Sequence, residues 1–557
     1  MDTRKVLVIG VDAATFDLID PWVAQGVLPN FQRLMAEGTR ATLWSAPNSS
    51  SAAAWTSFAT GKNPGKHGIY YFTRPKKDSY EMQIINGSHR DGLTVWQIAS
   101  HYGKKVGVVN VPMTYPADSV NGFMISGMDA PGSHVPGWTY PDDLMDQIPS
   151  ELGEYAIECG LPTYAKAGRL DKGLELAYQT IEQRTRYSLY LTQNFPWDLF
   201  ITVYRTIDPI QHYSWKHMSV SEGSASDDEG FSNAIRDGYI RVDQGIGQLM
   251  QQAPSGTRVI IVSDHGGGAS LLGFKELPGW LVEHGFMALQ LTKGGKAVAN
   301  SLLRRGYQWA DAYFAPKLKK SLSRLLPAVR DKVVSSVMFG QVDWSRTRLY
   351  ITAAGRELRV NLKGREAQGI VEPGEEYETL CDEVIAALLE WRDLASGDRL
   401  ITDVKRREEV YAGPHVAEAA DLLIYWNYEN EALHQFASPS SRSKHLDYSS
   451  WRELISGGHR PNGVFIAHGP GIQPGRDAVE ADLWDVAPTI LYILGLPIPK
   501  DMDGKLLRQI FVRQLLEQYP PEYVDLEGID LPRLETRPSG EDEELLKERL
   551  RGLGYIE

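Results

Sequence analysis

Cysteine is almost missing from this chain: only Cys159 and Cys381 occur in 557 residues. Two thiols cannot build a disulfide scaffold or a thiolate zinc site, and their scarcity fits a reducing compartment. Long apolar runs are missing too. No window approaches the roughly 20 apolar residues that span a bilayer. The early apolar stretch VLVIGV (6–11) is too short for a signal-peptide core and runs straight into Asp12. A cytoplasmic protein without a transmembrane segment is expected. An excess of positive charge is also lacking. With 58 Lys+Arg against 71 Asp+Glu, the net charge is −13, which speaks against sequence-independent nucleic-acid binding. What the chain does have is 42% hydrophobic and 10% aromatic residues, too many for a disordered polymer.

Six short apolar, β-branched runs read as buried parallel strands: 6–11, 105–111, 198–204, 258–263, 421–426 and 463–469. Helical spacing of apolar residues covers Phe16 to Glu37, Ala167 to Thr192 and Ile235 to Gln252. The alternation predicts an α/β fold, a central, mostly parallel sheet sandwiched by helices. Ligands in such sheets gather at the carboxyl ends of the strands. Residues 1–269 and 346–505 are expected to form the two parts of this core. Residues 270–345 would be an inserted helical cap, and 506–557 a C-terminal tail with a short helix from Glu541 to Arg551. Within the insertion, 293–332 carries ten Lys/Arg against Asp311 and Asp331. The plain reading is a solvated cap with basic faces. The sharper one is a lid for an anionic substrate, or a peripheral contact with anionic lipid head groups. Ser219 to Gly230 reads as a polar loop.

The chemistry sits where strands end. The first run leads into Asp12. The run 198–204 leads into Asp208, with His212 four residues on, and 258–263 leads into Asp264-His265. Gly457-Gly458-His459 precedes the last run. Asp and neutral His are oxygen and nitrogen ligands suited to Zn²⁺ or Mn²⁺. Singly, an Asp after a strand is more often a helix cap or turn residue; three Asp and three His at comparable positions are a stronger signal. Ser49, Ser50 and Ser51 stand just before a predicted helix, Ala52 to Thr60, where a hydroxyl caps the helix or meets the positive end of its dipole.

The order Asp12, hydroxyl-helix-TG-x-x-P-x-x-HGI, Asp-x-x-x-His, Asp-His-Gly and a late Gly-x-His resembles the alkaline phosphatase superfamily. The resemblance spans most of residues 5–500. It is strongest at AWTSFATGKNPGKHGI (54–69), VSDHGGG (262–268) and GHRPNGVFIAHGPGI (458–472). The branch it is most similar to is that of type I phosphodiesterase/nucleotide pyrophosphatase-like phosphohydrolases. The resemblance implies two divalent metal ions, Zn²⁺ first of all with Mn²⁺ as the alternative. One would be held by Asp208, His212 and His459, the other by Asp12, Asp264 and His265 with the oxygen of the nucleophile. That nucleophile would be Ser51, with Ser50 as the alternative in this run of three serines. Where nucleotide pyrophosphatases tend to carry an Asn after HGI, this chain has Tyr70-Tyr71-Phe72. The sulfatase signature Cys-x-Pro-x-Arg is absent near Ser51.

A two-metal phosphohydrolase is therefore expected, first of all a phosphodiesterase working on a small anionic phosphoester through a covalent phosphoseryl intermediate. The alternatives are a phosphomonoesterase, phosphomutase or phosphonate hydrolase of the same superfamily, and a non-catalytic, metal-stabilised protein that binds polyanions or membrane surfaces. Lys62 and Lys66 read as solvated surface lysines or, less simply, as holders of anionic substrate; His67 reads as structural.

Overall fold

A computed structural model describes residues 4–218, 229–271, 273–290, 342–352, 356–393, 396–429, 455–477, 480–526, 546–547 and 549–550. The basic segment 293–332, most of the 219–230 loop and most of the predicted helix from Glu541 to Arg551 lie outside the described residues.

A ten-stranded sheet runs through the molecule. Its main strands are β1 (Val6–Val11), β2 (Thr39–Trp44), β3 (Val106–Val109), β4 (Gly122–Ile125), β5 (Leu199–Tyr204), β6 (Arg258–Val262) and β7 (Asn462–His468). Their order is β2-β7-β6-β1-β5-β3-β4, with short strands beyond both ends. The inner strands β6, β1, β5, β3 and β4 are mutually parallel. Every residue of β1, β5 and β6 is buried, which is why these segments read as unbroken apolar runs rather than as alternating ones. Side chains alternate between faces along a strand. Accordingly Leu7, Ile9 and Val11 join one core, and Val6 and Val8 the other. The first core is roofed by helices Leu170–Asn194 and Ala234–Gln252, the second by Ser51–Thr60 and Val486–Ile493.

The predicted helix from Phe16 to Glu37 is two helices, Phe16–Ala24 and Pro29–Glu37. Gly26 lies in the left-handed region at φ +71°, and Pro29 restricts the residue before it, so the chain turns between them. Two of the expected parallel strands are not parallel. β7 runs antiparallel to both β6 and β2. The run 421–426 is not in this sheet at all. It forms strand Leu422–Trp426 of a separate four-stranded antiparallel sheet, between Glu357–Val360 and Ile401–Arg406, with Leu349–Ile351 at the edge. An apolar run records burial but not the direction of its neighbour.

This second unit has its own core. Leu271, Leu277 and Phe286 pack with Leu349, Val360, Cys381, Val384, Leu422 and Trp426, so no break appears at 345, the expected end of the insertion. Nor is the region after 506 a free tail, because Leu507, Ile510 and Phe511 are buried in the main core. Among the described residues no helix is long and apolar enough to cross a membrane.

At the centre of the second unit lies Asp421, fully buried. Arg365 grips both its oxygens (2.7 and 2.6 Å), and Tyr377 Oη and the Val360 N–H donate to it at 3.0 and 2.7 Å. Burial raises the Asp421 pKa, but the facing Arg365 and Arg407 guanidiniums overcome this and hold it below its ordinary value. Its stabilising contribution is thus present above the normal carboxylate range and lost as pH falls through it. Asp421→Ala removes the carboxylate shared by the part-buried Arg365 and Arg407, which among the described residues keep only Glu366 and Glu408 as acidic partners, and is expected to destabilise this unit by about 3 kcal/mol. Denaturant unfolding followed by tryptophan fluorescence at neutral pH checks the loss.

Candidate metal and nucleophile centre

The carboxyl edge of the sheet gathers the predicted residues. Asp12 follows β1, Asp208 sits in helix Ile207–Ser214 just beyond β5, and Asp264-His265 follow β6. His459 arrives from almost 200 residues further on. Its strand, Gly457–Arg460, pairs with Gly266–Ala269 in a two-stranded antiparallel ladder, with Gly267 opposite His459. The glycines of this ladder have a steric cause. A Cβ on Gly267 would stand 2.0 Å from Gln211 Oε1, and one on Gly457 would stand 2.3 Å from the Gln211 carbonyl. Only bare backbone lets the ladder lie against the helix that carries Asp208 and His212.

Two ligand clusters result: Asp208, His212 and His459, and Asp12, Asp264 and His265. Within each cluster the candidate ligand atoms lie within 4.8 Å of one another. They adjoin, since the rings of His265 and His459 stack with centroids 3.7 Å apart. In the first cluster Asp208 Oδ1 lies 3.0 Å from His212 Nε2 and 3.4 Å from His459 Nε2. The two Nε2 atoms are 3.1 Å apart. His212 Nδ1 donates to the Gly457 carbonyl and His459 Nδ1 to the Ser49 carbonyl, both at 2.9 Å. In their neutral forms both rings therefore point a lone pair from Nε2 at the same carboxylate oxygen. Three acceptors facing one point repel one another unless a cation lies between them.

The second cluster makes the same demand. Asp12 Oδ1 and Asp264 Oδ2 are buried and have no hydrogen-bond donor. Their partner oxygens are fixed: Trp55 Nε1 donates to Asp12 Oδ2 and the Ala13 N–H to Asp264 Oδ1, both at 3.3 Å. Ala13 takes φ +60°, a sharp turn directly after Asp12. His265 Nδ1 donates to the Gly266 carbonyl, which leaves Nε2 facing Ser51 Oγ at 3.1 Å. An orphaned pair of carboxylate oxygens beside an oriented imidazole is a donor set that fits a divalent cation.

Electrostatics agree. Burial, then the neighbouring Asp264 and Asp208, push the Asp12 pKa far up. Burial and Asp208 carry Asp264 to about 7. Burial also raises Asp208, but His212 and His459 outweigh it and hold this carboxyl well below its ordinary value. His265 is pushed down by burial and by His459.

Ser51 opens helix Ser51–Thr60 and is fully buried. Its hydroxyl reaches the second cluster, whereas Ser50, at the N-cap, makes no capping bond and its Oγ has no partner. Lys62 and Lys66 are engaged by Asp501 and Asp503 at 2.5 and 2.7 Å. His67 is buried; its Nδ1 accepts from the Ile69 N–H at 3.1 Å and its Nε2 donates to Ser57 Oγ at 2.9 Å.

Three contributors escaped the reading of the sequence. Trp55 orients Asp12. Arg205, the last residue of the run VYR, pairs with Glu158 at 2.5 Å and approaches Asp208 Oδ2 at 3.7 Å; its place at a strand exit was a usable signal. Arg356 donates to the His459 carbonyl at 2.8 Å, and no linear signal leads to it. A cleft of about 660 Å³ opens elsewhere, lined by Asn30, Gln248, Thr257 and His468, and neither ligand cluster borders it.

Because Asp264 must lose its proton to serve as a ligand, affinity for a divalent cation is expected to rise with pH through about 7, with proton release on binding. Calorimetric titration of Zn²⁺ or Mn²⁺ in buffers of different ionisation enthalpy at pH 6 and pH 8 reads both effects.

The family profile described as type I phosphodiesterase / nucleotide pyrophosphatase matches residues 6–445. No curated protein matches the chain. Among solved structures, the chain is similar to murine ectonucleotide pyrophosphatase/phosphodiesterase 5, with a TM-score of 0.47 and 12% identity over 91% of this chain and 100% of that one. Phosphonoacetate hydrolase from Sinorhizobium meliloti 1021, bound to phosphonoacetate, gives a TM-score of 0.49 and 13% identity over 88% and 95%. A mutant of the alkaline phosphatase PafA gives 0.47 and 16% over 91% and 99%.

Proposed function

The chain belongs to the type I phosphodiesterase / nucleotide pyrophosphatase family of phosphoric ester hydrolases, and from that premise we propose that it is a two-metal phosphodiesterase whose nucleophile is Ser51. The observation that carries this reading is the approach of Ser51 Oγ to His265 Nε2 at 3.1 Å, at the junction of two buried ligand sets. Asp208, His212 and His459 would hold one divalent cation, and Asp12, Asp264 and His265 the other. When bound, such a pair neutralises the ester oxygens and lowers the pKa of the serine hydroxyl.

The chain's own groups supply the rest. Ser51 stands at the first position of a ten-residue buried helix, so the dipole of that helix favours negative charge at its hydroxyl and at a phosphoryl group in front of it. Trp55, one turn along, keeps Asp12 from rotating. The bond from His459 Nδ1 to the Ser49 carbonyl ties the nucleophile loop to the first ligand set. Ser51 Oγ attacks phosphorus in line, its bond to phosphorus forming as the bond to the ester oxygen breaks and the departing oxygen takes up a proton. Water then displaces Ser51 Oγ from phosphorus, releasing the phosphate product and restoring the hydroxyl.

Purified protein is expected to carry about two divalent ions per chain and to hydrolyse bis-p-nitrophenyl phosphate faster than p-nitrophenyl phosphate. Ser51→Ala should cut kcat by at least about 1,000-fold, the scale of losing a covalent nucleophile, while Ser50→Ala keeps most of it. Turnover by Ser51→Ala at the wild-type rate would rule out this nucleophile. Faster monoester than diester hydrolysis would turn the reading to a phosphomonoesterase.

A further inference from the structure

We propose that Arg356 of the second unit is a positioning residue for the metal and nucleophile centre, acting through the main chain of His459. The inference rests on the reading above of His459 as a ligand and Ser51 as nucleophile.

His459 sits in an exposed structural situation for a ligand. Its ladder has four residues on each side and, among the described residues, pairs with no further strand. Two-stranded ribbons of this size are marginal by themselves, and this one is mostly glycine: Gly266, Gly267 and Gly268 face Arg460, His459 and Gly458, and Gly457 faces Ala269. Each of these pairs includes at least one glycine, which offers no side chain for cross-strand packing and costs the most backbone entropy. A ligand set accurate enough to bind a cation therefore needs the ladder to be held from outside.

Two guanidiniums do this at one atom. The His459 carbonyl accepts from Arg356 Nη2 at 2.8 Å and from Arg460 Nη1 at 3.1 Å. Arg460 belongs to the ladder and also donates to the Ala269 carbonyl at 2.5 Å, so it staples the ladder to itself. Arg356 alone of the two comes from another body. It immediately precedes strand Glu357–Val360 and is 7% exposed. Its bond references His459 to the antiparallel sheet of the second unit.

From His459 the constraint passes on. Its Nδ1 donates to the carbonyl of Ser49, which is held at φ +49°, and Ser51 follows two residues later. A second tie runs beside the first. Asn48 Oδ1 accepts from the Ser50 N–H at 3.1 Å, and Asn48 Nδ2 donates to the Tyr70 carbonyl at 2.9 Å. The second unit thus reaches the ligand directly through Arg356 and the nucleophile loop through Tyr70, whose hydroxyl bonds the His415 carbonyl. It also clasps the segment after the nucleophile helix, where the His415 N–H donates to the Gly65 carbonyl and Tyr70 Oη to the His415 carbonyl, both at 2.9 Å.

The experiment uses the full chain and three variants: Arg356→Ala, Arg356→Lys, and Val384→Ala, which thins the core of the second unit without touching either tie. Zn²⁺ and Mn²⁺ affinities are measured by competition with a chromophoric chelator, alongside Tm, kcat and KM. Arg356→Ala is expected to weaken cation binding by about 10–100-fold, the usual effect of losing a group that orients a ligand, and to lower kcat more than KM changes. Arg356→Lys, which keeps one donor, should recover part of both. Val384→Ala should lower Tm with cation affinity unchanged. Wild-type affinity in Arg356→Ala, or an equal loss in Val384→Ala, would overturn the proposal. The affinity measurement needs no turnover, so a wild type that binds cations but hydrolyses no ester would defeat the phosphodiesterase reading and still decide this one. A wild type that binds no cation defeats both.

Discussion

Everything about this molecule turns on one electrostatic problem. Three carboxylates and three imidazoles converge in a nearly dry volume at the carboxyl edge of a sheet, with lone pairs facing one another at hydrogen-bond distance. Such a set is unfavourable in isolation. Burial alone pushes the acids towards their neutral forms, as Asp12 and Asp264 show. The arrangement is held by everything around it: imidazole Nδ1 atoms pinned to carbonyls, the indole of Trp55 on Asp12, and the Arg205–Glu158 pair beside Asp208. The repulsion within an uncompensated site is the same property that would favour a divalent cation there.

The sheet exists, functionally, to bring the exits of β1, β5 and β6 side by side. These three strands are adjacent and parallel, with β1 between the other two. Parallel neighbours end at the same edge, so Asp12, Asp208 and Asp264 must emerge together. The burial that makes the strands apolar on both faces also keeps water from the site behind them. The helix that begins with Ser51 then brings the proposed nucleophile from the neighbouring layer, its dipole aimed at the same edge.

The remaining candidate ligand is supplied differently. His459 comes from a glycine-rich ladder that is too short to hold itself, and its carbonyl is anchored to the second unit. That unit is an antiparallel sheet with its own core and its own buried charge network around Asp421. Its contacts converge on the segments flanking Ser51 rather than on the far side of the molecule, which makes it part of the scaffold of the site.

Much of this could be read along the chain. Continuous apolar runs mark strands buried on both faces, and an Asp beyond three of the six runs marks the candidate ligand edge, because both are local consequences of strand geometry. Ser51 was legible as a candidate because it stands just before a predicted helix and matches the family pattern. The direction of β7 was not, nor the removal of 421–426 to another sheet, since a hydrophobic run fixes burial and leaves its partner open. The split between Ala24 and Pro29 had a local signal in Gly26 and Pro29. Arg356 had none. It meets His459 only because two glycine strands almost 200 residues apart pair against one helix, and a hydrogen bond to a main-chain carbonyl leaves no mark on the sequence of either partner. The sequence by itself determined which residues can serve as ligands and nucleophile, because that follows from side-chain chemistry and strand ends. Tertiary structure decided how they are oriented and what holds them there, because orientation depends on pairings between distant segments that no local pattern encodes.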